Sequence, residues 1–281
     1  RVNEMYFSLL LLNEQIQLNE DVKALLLSSE KKLSAMVKGG TAATSDLDNV
    51  RAERLSVEQQ NENLKQQKQM LQRMLSVFCG LEVNNTQKPA PVQIASSVNN
   101  RPEMRLYNSQ LELTEAKEKA LDIQLRPKLG LFAQGFYGYP GLNMFEDMMN
   151  RKWSLNGIVG IKLSWNVSAF YTHKNDKARL SAQREIIENA REVFLFNNKL
   201  EEIQQNENIN RYQTMMKSDD EIIVLRTNVR KAAESKLTHG IIDVISLLRE
   251  INNENAAKAQ QAIHEIDMLK EMYNLKFTNN E

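Results

Sequence analysis

The chain contains a stretch of 79 residues, from 161 to 239, with neither glycine nor proline. These two residues are the ones that most often break or end a helix, so their absence permits one uninterrupted helix. We expect that helix to run for roughly 65 residues from about Ala169, which at about 1.5 Å per residue is on the order of 100 Å. That length exceeds the dimensions of an ordinary compact domain of 281 residues.

Composition favours long helices over a large compact core. Lys plus Arg and Asp plus Glu number 36 each, so the formal net charge is zero and gives no reason to expect a nucleic-acid partner. Aromatic residues make up 6% of the chain and hydrophobic residues 42%. That balance is typical of helices that bury a narrow apolar stripe and leave their other faces in water.

No combination of residues predicts catalysis or a bound cofactor. His173, His239 and His264 are far apart in the sequence and lie in no metal-binding or nucleophile motif. The carboxylates are three or four residues from Lys or Arg, the spacing of ordinary surface ion pairs. Cys79 is the single cysteine, which excludes a disulfide within the chain, and its apolar neighbours predict a buried position. We expect a protein that is not an enzyme and holds no metal or other cofactor.

Residues 1–79 predict a first long helical hairpin. The segment 3–37 has apolar side chains at the three- and four-residue spacing of a helix, namely Met5, Leu9, Leu12, Ile16, Val22, Leu25 and Leu33. A second helix is expected from about Asp46 to Phe78, with an apolar side formed by Leu64, Leu71, Leu75 and Phe78. A short glycine-containing turn joins the two helices, so the tip of the hairpin lies near 38–46. Because the pattern is helical from its first residues, we expect the sequence to be N-terminally truncated.

A connector and a shorter helix follow the first hairpin. Residues 80–101 contain two prolines and several Asn and Ser residues, which indicates an irregular connector with room for a short strand. Residues 102–125 predict a helix, from about Glu103 to Leu125, that leads into an extended region.

Residues 126–168 predict an amphipathic β-hairpin. RPKLGLFAQGFYGYP and SLNGIVGIKLSWNVS flank the loop GLNMFEDMMNRK, and each offers about 11 alternating residues, the length of a tilted transmembrane strand. The predicted membrane-facing side chains are Leu129, Leu131, Tyr137, Val159, Ile161, Leu163 and Trp165. An amphipathic hairpin packed on a soluble core would show the same alternation, so both interpretations stay open. Two strands cannot close a barrel, so in a membrane other copies must supply the rest.

Residues 169–277 predict a second long helical hairpin, followed by a tail at 278–281. Its tip lies near 237–243, in LTHGIIDV. Setting Asp46 against Asp243 aligns SDLDNVRAE with IDVISLLRE and indicates an internal repeat. By the same logic, a further β-hairpin is expected to precede the first helical hairpin.

The two predicted tips carry glycine and aspartate at one end of the molecule. Gly39, Gly40 and Gly240 would permit the turns, and Asp46 and Asp243 would cap the helices that follow. The alternative is functional: if several tips form a closed ring, these carboxylates would face a pore, as acidic rings do in cation channels.

Taken in order, these segments resemble the TolC-like outer-membrane efflux proteins. The turns GTAATSDLDNVRAE and LTHGIIDVISLLRE look like the two tips of that family. RPKLGLFAQGFYG and GIVGIKLSW resemble its second β-hairpin, and RPEMRLYNSQLELTEAKEKALDIQL resembles the helix before it. The resemblance covers essentially the whole chain.

The resemblance implies a homotrimer with a β-barrel in outer-membrane lipid and a hollow α-helical barrel in the periplasm. It implies the export duct of a tripartite efflux or type I secretion system, joined through a periplasmic adaptor to an inner-membrane transporter. In the family's pattern Leu237 stands at a glycine position, His239 at a latch arginine and Ser246 at a second acidic pore position. The pore entrance would thus comprise Asp46, Asp243, Ser246 and His239, with adaptor docking at Gly39, Gly40 and Gly240.

A soluble coiled-coil scaffold or periplasmic adaptor is the alternative function. Such a protein would use its long hairpins only to bind partners. An adaptor should also carry a lipoyl-like β-domain between its helices, and residues 80–101 are too few to form one.

Overall fold

The computed structural model describes residues 1–92, 101–151 and 153–279. In chain order the elements are α1 (Val2–Lys38), α2 (Thr44–Cys79), α3 (Pro102–Gln124), β1 (Lys128–Gly138), α4 (Met144–Asn150), β2 (Ser154–Ser164), α5 (Ala169–Thr238) and α6 (Val244–Asn279). The predicted fold class, long helical hairpins with an inserted antiparallel β-hairpin, is confirmed. The segment treated as a plain loop between the strands contains the short helix α4.

The residues form two compact units. The first comprises 1–100 and 197–281, and the second comprises 101–196. These boundaries differ from the predicted division, since α5 contributes residues to both units. No helix in the described ranges combines the length and apolarity needed to cross a membrane.

The first unit has two apolar clusters between its helices. One joins α1, α2, α5 and α6 through buried residues that include Leu26, Val50 and Leu247. The other joins α1 and α6 through Phe7, Leu10, Ile266 and Leu269. Full burial of each such side chain contributes about 1.5–3 kcal/mol to stability.

The predicted apolar stripe of α1 is confirmed at four positions and incomplete elsewhere. Leu9, Leu12, Val22 and Leu33 are buried, but so are the unpredicted Phe7, Leu10 and Leu26. The apolar clusters join α1 to α2 as well as to α6, so α1 buries more than one narrow face.

Two predictions at the end of α2 are wrong. Phe78 is 57% exposed and Cys79 is also exposed, whereas Leu75 is buried. The apolar pattern continues past Leu75, but Val77 and Phe78 in the last turn of the helix are left exposed. Local hydrophobicity predicts burial only where another element is close enough to cover the side chain.

The connector and the C-terminus also differ from expectation. Residues 80–92 form neither helix nor strand, and 93–100, where the short strand could also have fallen, lie outside the described residues. Side chains of the first unit fix the connector: the Tyr6 hydroxyl donates to the Gln87 carbonyl at 2.5 Å, and the Tyr273 hydroxyl to the Ala90 carbonyl at 3.2 Å. At the predicted tail, Thr278 and Asn279 belong to α6 and are buried.

In the second unit, α3 lies beside the first part of α5, and β1 pairs with β2. His173 contacts the Asp122 carboxylate at 2.9 Å, and the rings of Tyr107 and Phe194 are 5.9 Å apart. The strands are antiparallel, with Leu129 opposite Leu163, Leu131 opposite Ile161 and Tyr137 opposite Leu155. Directly opposed residues share a face of the sheet, so this register determines the composition of each face.

Candidate functional site: the hairpin faces and the helical tips

One face of the β-hairpin is continuously apolar and uncovered. Within the described residues, the seven side chains predicted to face the membrane are 55–85% exposed: Leu129, Leu131, Tyr137, Val159, Ile161, Leu163 and Trp165. The pairs Ala133 with Val159 and Gly135 with Gly157 complete the same face without a charged group. A continuous apolar patch on a protein surface usually marks an interaction with a membrane or with another protein.

Aromatic side chains lie at both ends of this apolar face. Near the loop, Trp153 stacks on Tyr137 with ring centroids 5.7 Å apart and contacts Tyr139 at 6.4 Å. At the other end, Trp165 packs edge-on against Phe170 at 6.1 Å and donates its indole N–H to the Leu125 carbonyl at 3.0 Å. Tyr and Trp concentrate at the two interfaces of a bilayer because each combines an apolar ring with a polar group.

The opposite face of the hairpin is mixed and largely polar. Its opposed pairs include Lys128 with Ser164, Gly138 with Ser154 and Phe136 with Asn156. Gly160 lies under Phe132: a Cβ atom there would be 2.7 Å from the Phe132 ring. The hairpin is thus two-sided, with one apolar face and one face that carries the polar and charged groups.

The two helical tips have the same backbone structure. In the first, the Gly40 N–H donates to the Val37 carbonyl at 3.0 Å and the Thr41 N–H to the Met36 carbonyl at 2.9 Å. In the second, Gly240 and Ile241 make the corresponding bonds to Leu237 and Lys236, each at 2.9 Å. This is the Schellman arrangement, which requires a left-handed residue after the helix. Gly40 and Gly240 supply it, with φ of 72° and 70°.

The structure corrects the alignment of the internal repeat. Gly40 corresponds to Gly240, an offset of 200 residues (240 − 40), and the same offset relates Ala43 to Asp243 and Asp46 to Ser246. The predicted pairing of Asp46 with Asp243 is therefore displaced by three residues. In the observed register, Gly240 occupies the same left-handed position in the second tip that Gly40 occupies in the first.

The two aspartates stabilise their helices by different bonds. Asp46 is the third residue of α2, and its carboxylate accepts the Ala43 N–H at 3.3 Å. Asp243 precedes α6, and its carboxylate accepts the Ser246 N–H at 2.8 Å. Hydrogen bonds from Ser246, helped by the charge of Arg249, hold the pKa of Asp243 below its usual value. A complete capping box has two such bonds, one in each direction between the N-cap residue and the third residue of the helix. The first tip has the bond made by the side chain of the third residue, and the second tip has the bond made by the side chain of the N-cap residue.

Residues beside both turns contact a single apolar cluster. Met36 and Val37 from the first tip and Leu237 and Ile242 from the second pack against it, so both tips are at one end of the first unit. Gly39, Gly40, His239, Gly240 and Asp243 are exposed, whereas Asp46 and Ser246 are half-buried. The His239 ring nitrogen Nδ1 is 2.7 Å from the Ser235 carbonyl of its own helix.

A largely buried charge network near the second tip was not predicted from the sequence. The Arg230 guanidinium bonds to Glu254 across α5 and α6 and to Glu234 at 2.6 Å, and Lys258 bonds to Glu254 at 2.7 Å. Burial alone would lower the pKa of Arg230 and raise that of Glu254. The bonds prevail over burial: Glu254 and Glu234 raise the pKa of Arg230, and Lys258 and Arg230 lower the pKa of Glu254.

The histidines lie in three unrelated environments. His264 is buried with Nδ1 2.7 Å from the Asp219 carboxylate, His173 contacts Asp122, and His239 is at a tip. Within 1–92, 101–151 and 153–279, no three His, Cys, Asp or Glu side chains are grouped so as to hold a metal ion.

Comparison with solved structures relates this geometry to known proteins. No protein family and no curated protein matches the chain in sequence. The outer membrane protein VceC from Vibrio cholerae is similar over 99% of this chain and 68% of its own, with a TM-score of 0.77 and 12% identity. The Campylobacter jejuni CmeC outer membrane channel is similar over 98% of this chain and 60% of its own, with a TM-score of 0.74 and 11% identity.

The open state of the Neisseria gonorrhoeae MtrE outer membrane channel is similar over 99% of this chain and 64% of its own, with a TM-score of 0.75 and 11% identity. The chain thus spans 60–68% of the length of these three proteins. The chain has the fold of these outer-membrane channels, the TolC-like fold that its sequence predicts.

Proposed function

We propose that this chain is a subunit of an outer-membrane channel that serves as a passive export duct. The observation that carries the proposal is the two-sided β-hairpin, whose apolar face is uncovered and ends in aromatic residues on both sides. A soluble scaffold would leave this face in water. A bilayer would bury it and would place the aromatic groups at its two interfaces.

The dimensions of the hairpin fit a bilayer. Trp153 and Trp165 are 12 residues apart in the sequence (165 − 153). At about 3.3 Å per residue this is roughly 40 Å along an extended strand, and a tilt of about 45° reduces it to roughly 28 Å. The hydrocarbon layer of a typical bilayer is about 30 Å thick, so each aromatic group would lie close to an interface.

Closure of the channel requires more strands than the hairpin supplies. Membrane barrels have about eight strands or more, and the sheet described here has two. We infer assembly as a homotrimer, in which the polar hairpin faces surround the pore. Three copies of the described hairpin supply six strands (3 × 2), so each subunit must contribute a further β-hairpin to close the barrel. Exposed apolar residues on the long helices, including Val77, Val193 and Phe196, provide surface for contacts between subunits.

The helical hairpins form the periplasmic part of the proposed duct. Their shared tip end would face the inner membrane and dock to a periplasmic adaptor of a tripartite efflux or type I secretion system. Asp46, Asp243, Ser246 and His239 would then surround the pore entrance, and the turns at Gly39, Gly40 and Gly240 would contact the adaptor. The common backbone structure of the two tips supports this role, because repeated contacts need repeated shape.

Single-channel recording tests the proposal. The full-length protein would be reconstituted in planar bilayers and compared with Asp46→Asn, Asp243→Asn and the control Asp48→Asn. The side-chain oxygen of asparagine can accept the same backbone N–H as the carboxylate it replaces, so these variants remove charge while keeping the turns. Asp48 is an exposed carboxylate of α2 close to the first tip.

A large, stable pore is the expected result, with lower cation selectivity in the Asp46 and Asp243 variants only. Unchanged selectivity in both variants would show that neither aspartate lines the pore entrance. Absence of conductance from protein shown to be inserted would overturn the channel function and favour the scaffold.

A further inference from the structure

Helix α4, in the loop between the strands, carries an exposed apolar surface. Phe145 and Met149 are each 87% exposed, and Met144 and Met148 are also exposed. Residues four apart lie on the same side of a helix, so Phe145 and Met149 form one continuous surface. Asp147 is two residues from each, which places it about 160–200° away on the other side. The short helix is amphipathic, and its apolar side is exposed.

The polar side of α4 attaches the loop to the polar face of the hairpin. The Asp147 carboxylate accepts the Gly141 N–H at 2.8 Å and the Ser154 hydroxyl at 2.7 Å. The Asn156 side-chain oxygen accepts the Leu142 N–H at 2.9 Å. Ser154 and Asn156 both belong to the polar face. A Cβ atom on Gly141 would be 2.2 Å from the Ser154 hydroxyl oxygen, so the loop packs closely against that face.

This attachment determines which surface can cover the apolar side of α4. The following step rests on the proposed function, in which the polar face of the hairpin surrounds the pore and the opposite face contacts lipid. A loop bonded to the polar face lies on the pore side, where lipid cannot reach it. Phe145 and Met149 point away from Asp147, and therefore away from the hairpin and towards the pore axis.

We propose that the α4 helices of neighbouring copies of this chain contact one another through Phe145 and Met149 and form an apolar constriction at the outer mouth of the channel. Assembly around an axis brings equivalent surfaces of the copies towards each other, and an apolar surface is best covered by another apolar surface. Methionine suits such a contact because its flexible, polarisable side chain packs in several arrangements. Apolar constrictions restrict the passage of water and ions through a pore.

Cysteine cross-linking tests the contact. In a Cys79→Ser background of the full-length protein, Phe145→Cys would be compared with Glu146→Cys, which places a thiol on the polar side of the same helix. Mild oxidation of the reconstituted channel should give covalent dimers with Phe145→Cys. Glu146→Cys should give far fewer dimers under the same conditions. Equal cross-linking at both positions, or none at 145, would overturn the contact.

Conductance tests the constriction. The double variant Phe145→Ser, Met149→Ser should raise the single-channel conductance of inserted protein, and Glu146→Ser should leave it unchanged. An unchanged conductance in the double variant would overturn the constriction. A fluorescent label on Phe145→Cys that is quenched by brominated lipid would place α4 in the membrane and also contradict it. A wild-type protein that forms no pore contradicts the proposed function itself, so the two failures are distinguishable.

Discussion

At the scale of single residues, adjacent glycines at the first tip have different roles. Gly40 has φ of 72° and open space around its Cβ position, whereas Gly39 has φ of −83° and ordinary contacts at 3.5 Å. Gly40→Ala and Gly240→Ala should therefore cost about 1–2 kcal/mol through backbone strain alone. Gly39→Ala should be neutral, or stabilising by up to about 1 kcal/mol.

Amide hydrogen exchange of peptides that span the turns measures this difference. We expect exchange about 5- to 30-fold faster at the turn that carries Gly40→Ala or Gly240→Ala, and no increase for Gly39→Ala. Equal acceleration in all three variants would show that side-chain volume, rather than the left-handed backbone, limits substitution at the tips.

Asp243 gives the second tip a dependence on pH. Its pKa is lowered in the folded state by hydrogen bonds from Ser246, so its ionised form stabilises the first turn of α6. That contribution is complete above the ordinary aspartate pKa and is lost as the pH falls through the lowered value. Exchange of the Ser246 amide, corrected for intrinsic rates, should therefore accelerate in acid for the wild type. Asp243→Asn should abolish the pH dependence, and persistence of the dependence would assign it to another group.

At the scale of helices, buried and exposed ion pairs should contribute differently. Arg230 joins Glu254 in the interior between α5 and α6, whereas Arg54 and Arg51 reach Glu30 from α2 on a more exposed side of the first hairpin. Arg230→Ala would leave the buried Glu254 carboxylate with fewer partners and should cost about 2–4 kcal/mol. Arg54→Ala should cost about 0–1 kcal/mol, because Arg51 and water can replace the lost bond.

Chemical denaturation of the detergent-solubilised protein compares the two variants. The expected result is a clearly lower denaturation midpoint for Arg230→Ala and a small change for Arg54→Ala. Equal midpoints would mean that Lys258 and Thr227, which also bond to Glu254, are sufficient to satisfy it.

At the scale of the whole molecule, the two faces of the hairpin predict opposite responses to charge. Val159 is 82% exposed on the apolar face, and its neighbour Ile158 is on the polar face. An arginine on the lipid side near the bilayer centre costs about 2–4 kcal/mol, whereas one on the pore side costs little. Val159→Arg should reduce the fraction of protein inserted into lipid vesicles, measured by protection from protease, and Ile158→Arg should not. If Ile158→Arg reduced insertion and Val159→Arg did not, the face that carries Ile158 would be the one in contact with lipid.

The sequence alone determined the order and type of the long elements. A 79-residue run free of glycine and proline predicted α5, and strict alternation about Val159 predicted a two-sided strand, because both signals are local and periodic. The turns could likewise be placed at Gly39, Gly40 and Gly240 from the sequence, and the structure then assigned the left-handed conformation to Gly40 and Gly240. The fold class follows from these three signals.

The tertiary structure decided what depends on neighbours distant in the sequence. Arg230 with Glu234 and Glu254 with Lys258 have the spacing of surface pairs, and only the packing of α5 against α6 buries Glu254 and covers most of Arg230. Phe78 has the pattern of a buried residue, but no described element covers it. The repeat register was settled by backbone bonds at the tips, where Asp46 and Asp243 look equivalent in sequence and occupy different positions. Burial and register are properties of contacts between elements, and a local pattern contains no record of those contacts.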